Sequence, residues 1–123
     1  MMRWFVIFGL AVTGFGATSV GLSGCSSGSA GSCGTTPSSC PTSAPSYATD
    51  VAPIVQKYCG SCHVAGGQES DKPLDTYSTL STRSSEVAHE ISGCDMPPSD
   101  ATQPTTAEMQ TVLDWIACGA QDN

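Results

Sequence analysis

Residues 49–63 read TDVAPIVQKYCGSCH, and this stretch decides the fold. Apolar side chains recur in it at the helical spacing i, i+3, i+4 and i+7, at Val51, Ile54, Val55 and Tyr58. Thr49 or Asp50 is placed to cap the helix, and Pro53 falls in its first turn, where a missing amide hydrogen costs no helical bond. The sequence therefore predicts a short amphipathic helix that runs directly into residues 59–63.

Cys59-Gly60-Ser61-Cys62-His63 form a Cys-x-x-Cys-His run, which is the attachment signature of c-type haem. Two thiols three positions apart on one helical turn reach the two vinyl groups of a haem edge, and the next residue presents an imidazole nitrogen to the iron. The run predicts one covalent haem c, held through Cys59 and Cys62, with His63 as the proximal iron ligand.

Together with the helix before it, this motif resembles the small monohaem cytochromes c, over about residues 48–120. The resemblance implies an all-α domain of three to four short helices wrapped around the haem, with the last helix packed against the first. It also implies electron transfer, in which the iron alternates between Fe(II) and Fe(III). Redox partner proteins are then required and a small-molecule substrate is not, so the protein is expected to be an electron carrier, or a subunit of an oxidoreductase, rather than an enzyme.

The resemblance further implies a methionine as the distal iron ligand, in a loop before the last helix. Met96 fits that position, because Pro97 and Pro98 keep the chain after it out of a helix. Met109 fits less well, since it recurs with core residues on the apolar face of the last helix. His89 remains the alternative ligand, because its short helix would turn it either towards the haem or towards solvent.

The last helix is the best-marked element of the sequence. Thr105 and Glu108 fit a capping box, and Gly119 is placed to end the helix. Its apolar stripe consists of Met109, Val112, Leu113 and Ile116. Trp115 could contact the haem edge or the first helix, or it could simply pack in the core. Core packing is favoured, because buried indole rings mostly serve to fill the core. A shorter helix is predicted around residues 86–91.

The first 45 residues divide into a leader and a tether. Residues 1–24 have a basic start, an apolar run and small residues before Cys25, which predicts a signal peptide that is removed. The run is too short and too diluted for a membrane-spanning helix. The sequence LSGC that ends at Cys25 resembles the lipobox of bacterial lipoproteins. The resemblance implies a lipid on this cysteine and attachment to a bacterial membrane, on the side that faces the periplasm or the cell surface. The alternative is an ordinary signal peptide followed by an incidental cysteine.

Residues 25–45 are predicted to be a flexible tether to a folded domain at 46–123.

Four further cysteines allow three disulfide pairings. An extracytoplasmic location would let such bonds persist. Local pairing is favoured: Cys33 with Cys40 within the tether, and Cys94 with Cys118, which would fix the Met96 loop to the end of the last helix.

The charge balance excludes one class of partner. Eleven acidic side chains stand against four basic ones, a net charge of −7, so there is no basic patch for nucleic acid.

Three rival functions remain. A thiol-disulfide oxidoreductase would use Cys59 and Cys62, but such a motif normally follows a strand. A zinc site would need a second ligand cluster, which is missing. A haem peroxidase or gas sensor would need an open iron position, which Met96 would fill.

Overall fold

A computed structural model of the chain describes residues 33–123. This part contains four α-helices and no strand, which confirms the all-α prediction for the described residues. The elements are a π-helical turn (Tyr47–Val51), α1 (Ala52–Tyr58), α2 (Tyr77–Thr82), α3 (Ser84–Ser92) and α4 (Thr106–Ala117). No helix among them is both long enough and apolar enough to cross a membrane. The predicted signal peptide, residues 1–24, and the predicted lipidation site, Cys25, lie outside the described residues.

The first helical segment begins earlier than the sequence predicts. Its N-cap is Ser46, whose hydroxyl accepts from the amide of Thr49 at 3.4 Å, while the Asp50 carboxylate accepts from the amide of Ser46 at 2.8 Å. The prediction of Thr49 or Asp50 as the cap is therefore wrong. The reason is one wide turn, in which the amide of Val51 bonds to the carbonyl of Ser46 at 3.1 Å. The carbonyl of Asn123 accepts from the Ser46 hydroxyl at 2.6 Å, so residue 123 lies beside this cap.

The core forms where the first helical segment meets α4. Its fully buried apolar side chains include Val51, Leu80 and Leu113. Trp115 is 1% exposed and packs against the rings of Tyr47 and Tyr77, with ring centroids 5.7 and 6.4 Å away. Its indole N–H donates to the carbonyl of Gln121 at 2.8 Å. Core packing is therefore the role of Trp115.

Helix α4 begins and ends where the sequence predicts. The Thr105 hydroxyl accepts from the amide of Glu108 at 3.2 Å, and the Glu108 carboxylate accepts from the amide of Thr105 at 2.7 Å, which confirms the capping box. The helix ends at Ala117. Gly119 follows with φ of +89°, a left-handed conformation that glycine adopts without strain.

Glu108 also joins α4 to the end of α1. Its carboxylate accepts from the Tyr58 hydroxyl at 3.0 Å and lies 3.5 Å from Lys57 Nζ. The hydrogen bonds from Thr105, and then those from Tyr58 and the charge of Lys57, lower the pKa of Glu108 to about 2. The ionised carboxylate therefore stabilises the folded state, and this contribution disappears as the pH falls from the ordinary pKa of 4.5 to about 2.

We expect Glu108→Gln to lower the melting temperature at pH 7, because the amide keeps the shape of the cap but not its charge. The difference between wild type and variant should shrink below pH 4.5 and vanish near pH 2. Thermal unfolding followed by circular dichroism across this pH range measures it. A difference that is the same at pH 2 and at pH 7 would contradict the assignment.

Two disulfides join residues 33–45, which we call the strap, to the helical domain. Cys33 is bonded to Cys94, and Cys40 is bonded to Cys118. The prediction that these cysteines form disulfides is confirmed, but the predicted local pairs, Cys33 with Cys40 and Cys94 with Cys118, are wrong. The strap is the second half of the segment that the sequence predicts as a tether.

The path of the strap along α4 explains the pairing. The amide and the carbonyl of Thr35 each bond to the side-chain amide of Gln110, at 3.0 Å. Gly34 has φ of +40°, and a Cβ there would lie 2.6 Å from Leu113 Cδ1. This segment lies against α4, and Cys40 is bonded to Cys118, the C-cap residue of that helix.

Candidate functional site

A cavity of about 410 Å³ opens beside the end of α1. Its volume falls in the range of small-molecule and cofactor sites, which are concave and mostly apolar. All four helices contribute apolar side chains to its wall, among them Ile54, Val55, Leu80, Val87, Ile91 and Val112. Val87 and Ile91 are four residues apart on α3, a helical spacing that is visible in the sequence.

The cavity brings together the four residues that the sequence predicts at the site. Cys59, Cys62, His63 and Met96 all lie in its wall. His89, the alternative to Met96, is exposed and is not part of the wall. Of the two residues predicted as alternatives, Met96 and His89, only Met96 therefore lies in the wall of the cavity.

Two further predictions concern α4. Met109 is 6% exposed and belongs to the core as expected, but it also reaches the wall of the cavity. Trp115 lies in the core and not in this wall.

The thiol pair sits in a tight turn after α1. Cys59 caps the helix, and its carbonyl accepts from the amides of Cys62 and His63 at 3.1 and 2.9 Å. A Cβ at position 60 would lie 2.7 Å from the carbonyl oxygen of Gln56, so Gly60 allows the turn to close against the helix. The turn brings Cys59, Cys62 and His63 together in the wall of the cavity.

The imidazole of His63 is held in one orientation. Its Nδ1 lies 2.8 Å from the carbonyl oxygen of Lys72. A carbonyl can only accept, so Nδ1 carries the proton, and the neutral tautomer that fits this contact has its lone pair on Nε2. The amide of Leu74 bonds to the carbonyl of His63 at 2.9 Å and fixes the backbone on the same side. His63 thus offers an oriented nitrogen donor to a bound group.

Hydrogen bonds that could not be predicted from the sequence hold the Met96 segment in place. The amide of Met96 bonds to the carbonyl of Glu90 at 3.2 Å. The side-chain amide of Gln103 donates to the carbonyls of Pro98 and Ala101 at 2.7 and 3.1 Å. A single glutamine in a loop forms no periodic pattern, and sequence reasoning therefore missed Gln103.

Neither Cys59 nor Cys62 is in a disulfide. Burial, and secondly the neighbouring Cys62 thiol, raise the pKa of Cys59 to about 11. Because the thiolate is the reactive form, Cys59 is a poor nucleophile at neutral pH.

We expect iodoacetamide to label Cys59 slowly at pH 8 in folded protein whose thiols are free. A pKa near 11 rather than 9.0 leaves about 100-fold less thiolate at this pH than in the unfolded chain. Peptide mass spectrometry at successive times, from pH 8 to pH 11, gives the rates. Labelling of the folded protein at pH 8 as fast as in urea would contradict the raised pKa.

The predictions of haem c, iron and metal binding are not supported. Among residues 33–123 there is no group of three or more His, Cys, Asp or Glu side chains that could hold a metal ion. Four cysteines are committed to the disulfides Cys33–Cys94 and Cys40–Cys118. The prediction of haem c and iron is therefore wrong for the described residues, and the prediction of disulfides is confirmed.

Comparison with known proteins adds no assignment. The chain matches no family model, no curated protein and no solved structure.

Proposed function

We propose that this domain is an electron carrier, with a role like that of the small cytochromes c, which exchanges single electrons with partner proteins at a membrane surface. Electrons would pass from a donor protein to an acceptor protein by way of a redox group that the cavity would enclose. No substrate is transformed. The observation that carries this proposal is the convergence of Cys59, Cys62, His63 and Met96 on one apolar cavity.

The cavity wall brings sulfur and nitrogen atoms together. Cys59 and Cys62 supply two thiols that are outside any disulfide. The His63 imidazole and the Met96 thioether add a nitrogen and a sulfur donor from separate segments of the chain. Apolar walls lower the local dielectric constant and shield the group from water, so the environment tunes its reduction potential.

A thiol-disulfide oxidoreductase is the weaker candidate. Such enzymes use a cysteine whose pKa is lowered, whereas burial raises the pKa of Cys59 to about 11. No strand precedes the cysteine pair within the described residues. Both observations weigh against disulfide exchange as the role of this cysteine pair.

Membrane attachment is proposed from the sequence. The LSGC motif would place a lipid on Cys25, and seven residues separate this cysteine from the end of the strap at Cys33. Seven or eight extended residues span roughly 25 Å. The domain would then work close to the membrane surface, on its extracytoplasmic side.

Voltammetry of the protein isolated from its native membrane tests the proposal. We expect a reversible one-electron wave whose midpoint potential shifts in Met96→Ala, because this side chain lies in the cavity wall. His89→Ala is the matched control and should leave the potential unchanged, since His89 is exposed and outside the wall. Absence of any reversible wave in the wild-type protein would refute electron transfer.

A further inference from the structure

We infer that electrons pass through the mouth of the cavity, which we define as the partly or fully exposed part of its wall around Glu90, Met96 and Asp100. The partner that docks there presents a basic surface rich in lysine or arginine. This inference rests on the proposed function and adds to it the chemistry of the partner. Two features of the described residues support it: where the unpaired carboxylates lie, and what surrounds them.

The described residues have no basic side chain free of an ion pair. Lys57 lies 3.5 Å from Glu108, Lys72 lies 3.7 Å from Glu69, and Arg83 lies 2.8 Å from Glu86. All eleven acidic side chains fall within residues 33–123, so eight carboxylates there have no ion-pair partner among the described residues. The domain therefore presents a negative field with no positive patch to oppose it.

Two of these unpaired carboxylates lie in the wall of the cavity. Glu90 is on α3, and Asp100 is in the loop after Met96. Two ion pairs, Lys72 with Glu69 and Arg83 with Glu86, line the same wall, and their charges cancel within each pair. The wall therefore keeps a net charge from Glu90 and Asp100 alone.

Partly or fully exposed apolar residues share the mouth with these carboxylates. They are Val87, Ile91, Met96, Pro97, Pro98 and Ala101. An apolar centre fringed by charge is the anatomy of a transient protein interface, in which the charges steer the encounter and the apolar centre makes contact. A fringe of carboxylates without free cations selects a partner whose own fringe is basic.

Electron exchange with two small inorganic reagents tests the inference. Hexaammineruthenium is a cation and hexacyanoferrate is an anion, and stopped-flow measurements on the full-length protein give the rate constant for each. For the wild type, the rate constant with the cation should fall as ionic strength rises, and that with the anion should rise.

Glu90→Lys and Asp100→Lys should each lower the rate constant with hexaammineruthenium about five-fold at an ionic strength of ~10 mM, and raise that with hexacyanoferrate by a similar factor. Asp122→Lys is the matched control. It changes the net charge equally, but Asp122 is outside the cavity wall, so we expect a change of less than about two-fold. Circular dichroism verifies that each variant is folded.

The outcomes are distinct. Equal effects of all three substitutions would mean that only net charge matters, and would overturn the inference while electron transfer stands. No exchange of the wild type with either reagent would overturn the proposed function, and the inference with it. A five-fold effect confined to Glu90→Lys and Asp100→Lys would support the cavity mouth as the docking surface.

Discussion

Replacing Cys40 and Cys118 together with serine should lower the melting temperature of the domain by roughly 10–40 °C. The bond joins residues 78 positions apart, and the chain-entropy estimate for a loop of this size is about 4.5 kcal/mol. Removal of a native disulfide from a small secreted domain costs about 2–5 kcal/mol. In a domain of this size each kcal/mol corresponds to roughly 4–8 °C. Thermal unfolding of the oxidised proteins measures the change.

The comparison for this variant is Cys33→Ser with Cys94→Ser, which removes the other bond, over a separation of 61 residues. We expect a similar loss of stability from it. Peptide mapping without reduction tests the pairing itself and should recover peptides that join the strap to the domain. Recovery of Cys33 linked to Cys40, or a melting temperature unchanged in both variants, would contradict the strap.

Trp115→Ala should lower the free energy of unfolding by about 3–5 kcal/mol, which is the usual loss when a buried aromatic side chain is truncated. Trp115 is 1% exposed, touches the rings of Tyr47 and Tyr77, and donates its N–H to Gln121. Its removal leaves a cavity between the first helical segment and α4, and it also leaves the Gln121 carbonyl without its donor. Urea unfolding measures the change.

Ile116→Ala is the control, because Ile116 is the next residue of α4 and is only partly buried. A clearly smaller loss is expected from it. Equal losses in the two variants, or a loss below about 1 kcal/mol for Trp115→Ala, would contradict the central place of the indole in the core.

Three of the four helices in the described residues, α1, α3 and α4, could be predicted because their signals are local, whereas α2 was not predicted. Thr105 and Glu108 lie three residues apart and cap one helix, and Gly119 ends it within the same short stretch. The spacing of the apolar residues before Cys59 likewise identified the helix that carries the thiols. Only its start was misplaced, since the wide turn after Ser46 depends on hydrogen bonds across the structure as well as within it.

The disulfide pairing could not be predicted, because it depends on the path of a segment with no periodic pattern. Gly34, pressed against Leu113, directs the strap along α4, and this contact joins residues 79 positions apart in the sequence. The position of Met96 was predictable from its prolines. Two features could be seen only in the folded structure. They are the hydrogen bonds from Gln103 to the loop after Met96, and the ion pair that each described basic side chain forms with a carboxylate.

Coulometric titration of the protein isolated from its native membrane tests the account most directly. We predict that each molecule reversibly takes up one electron and returns it to an external acceptor. Met96→Ala should shift the midpoint potential and His89→Ala should not, because Met96 lies in the cavity wall and His89 is exposed and outside it. A wild-type protein that takes up no electron would contradict the account.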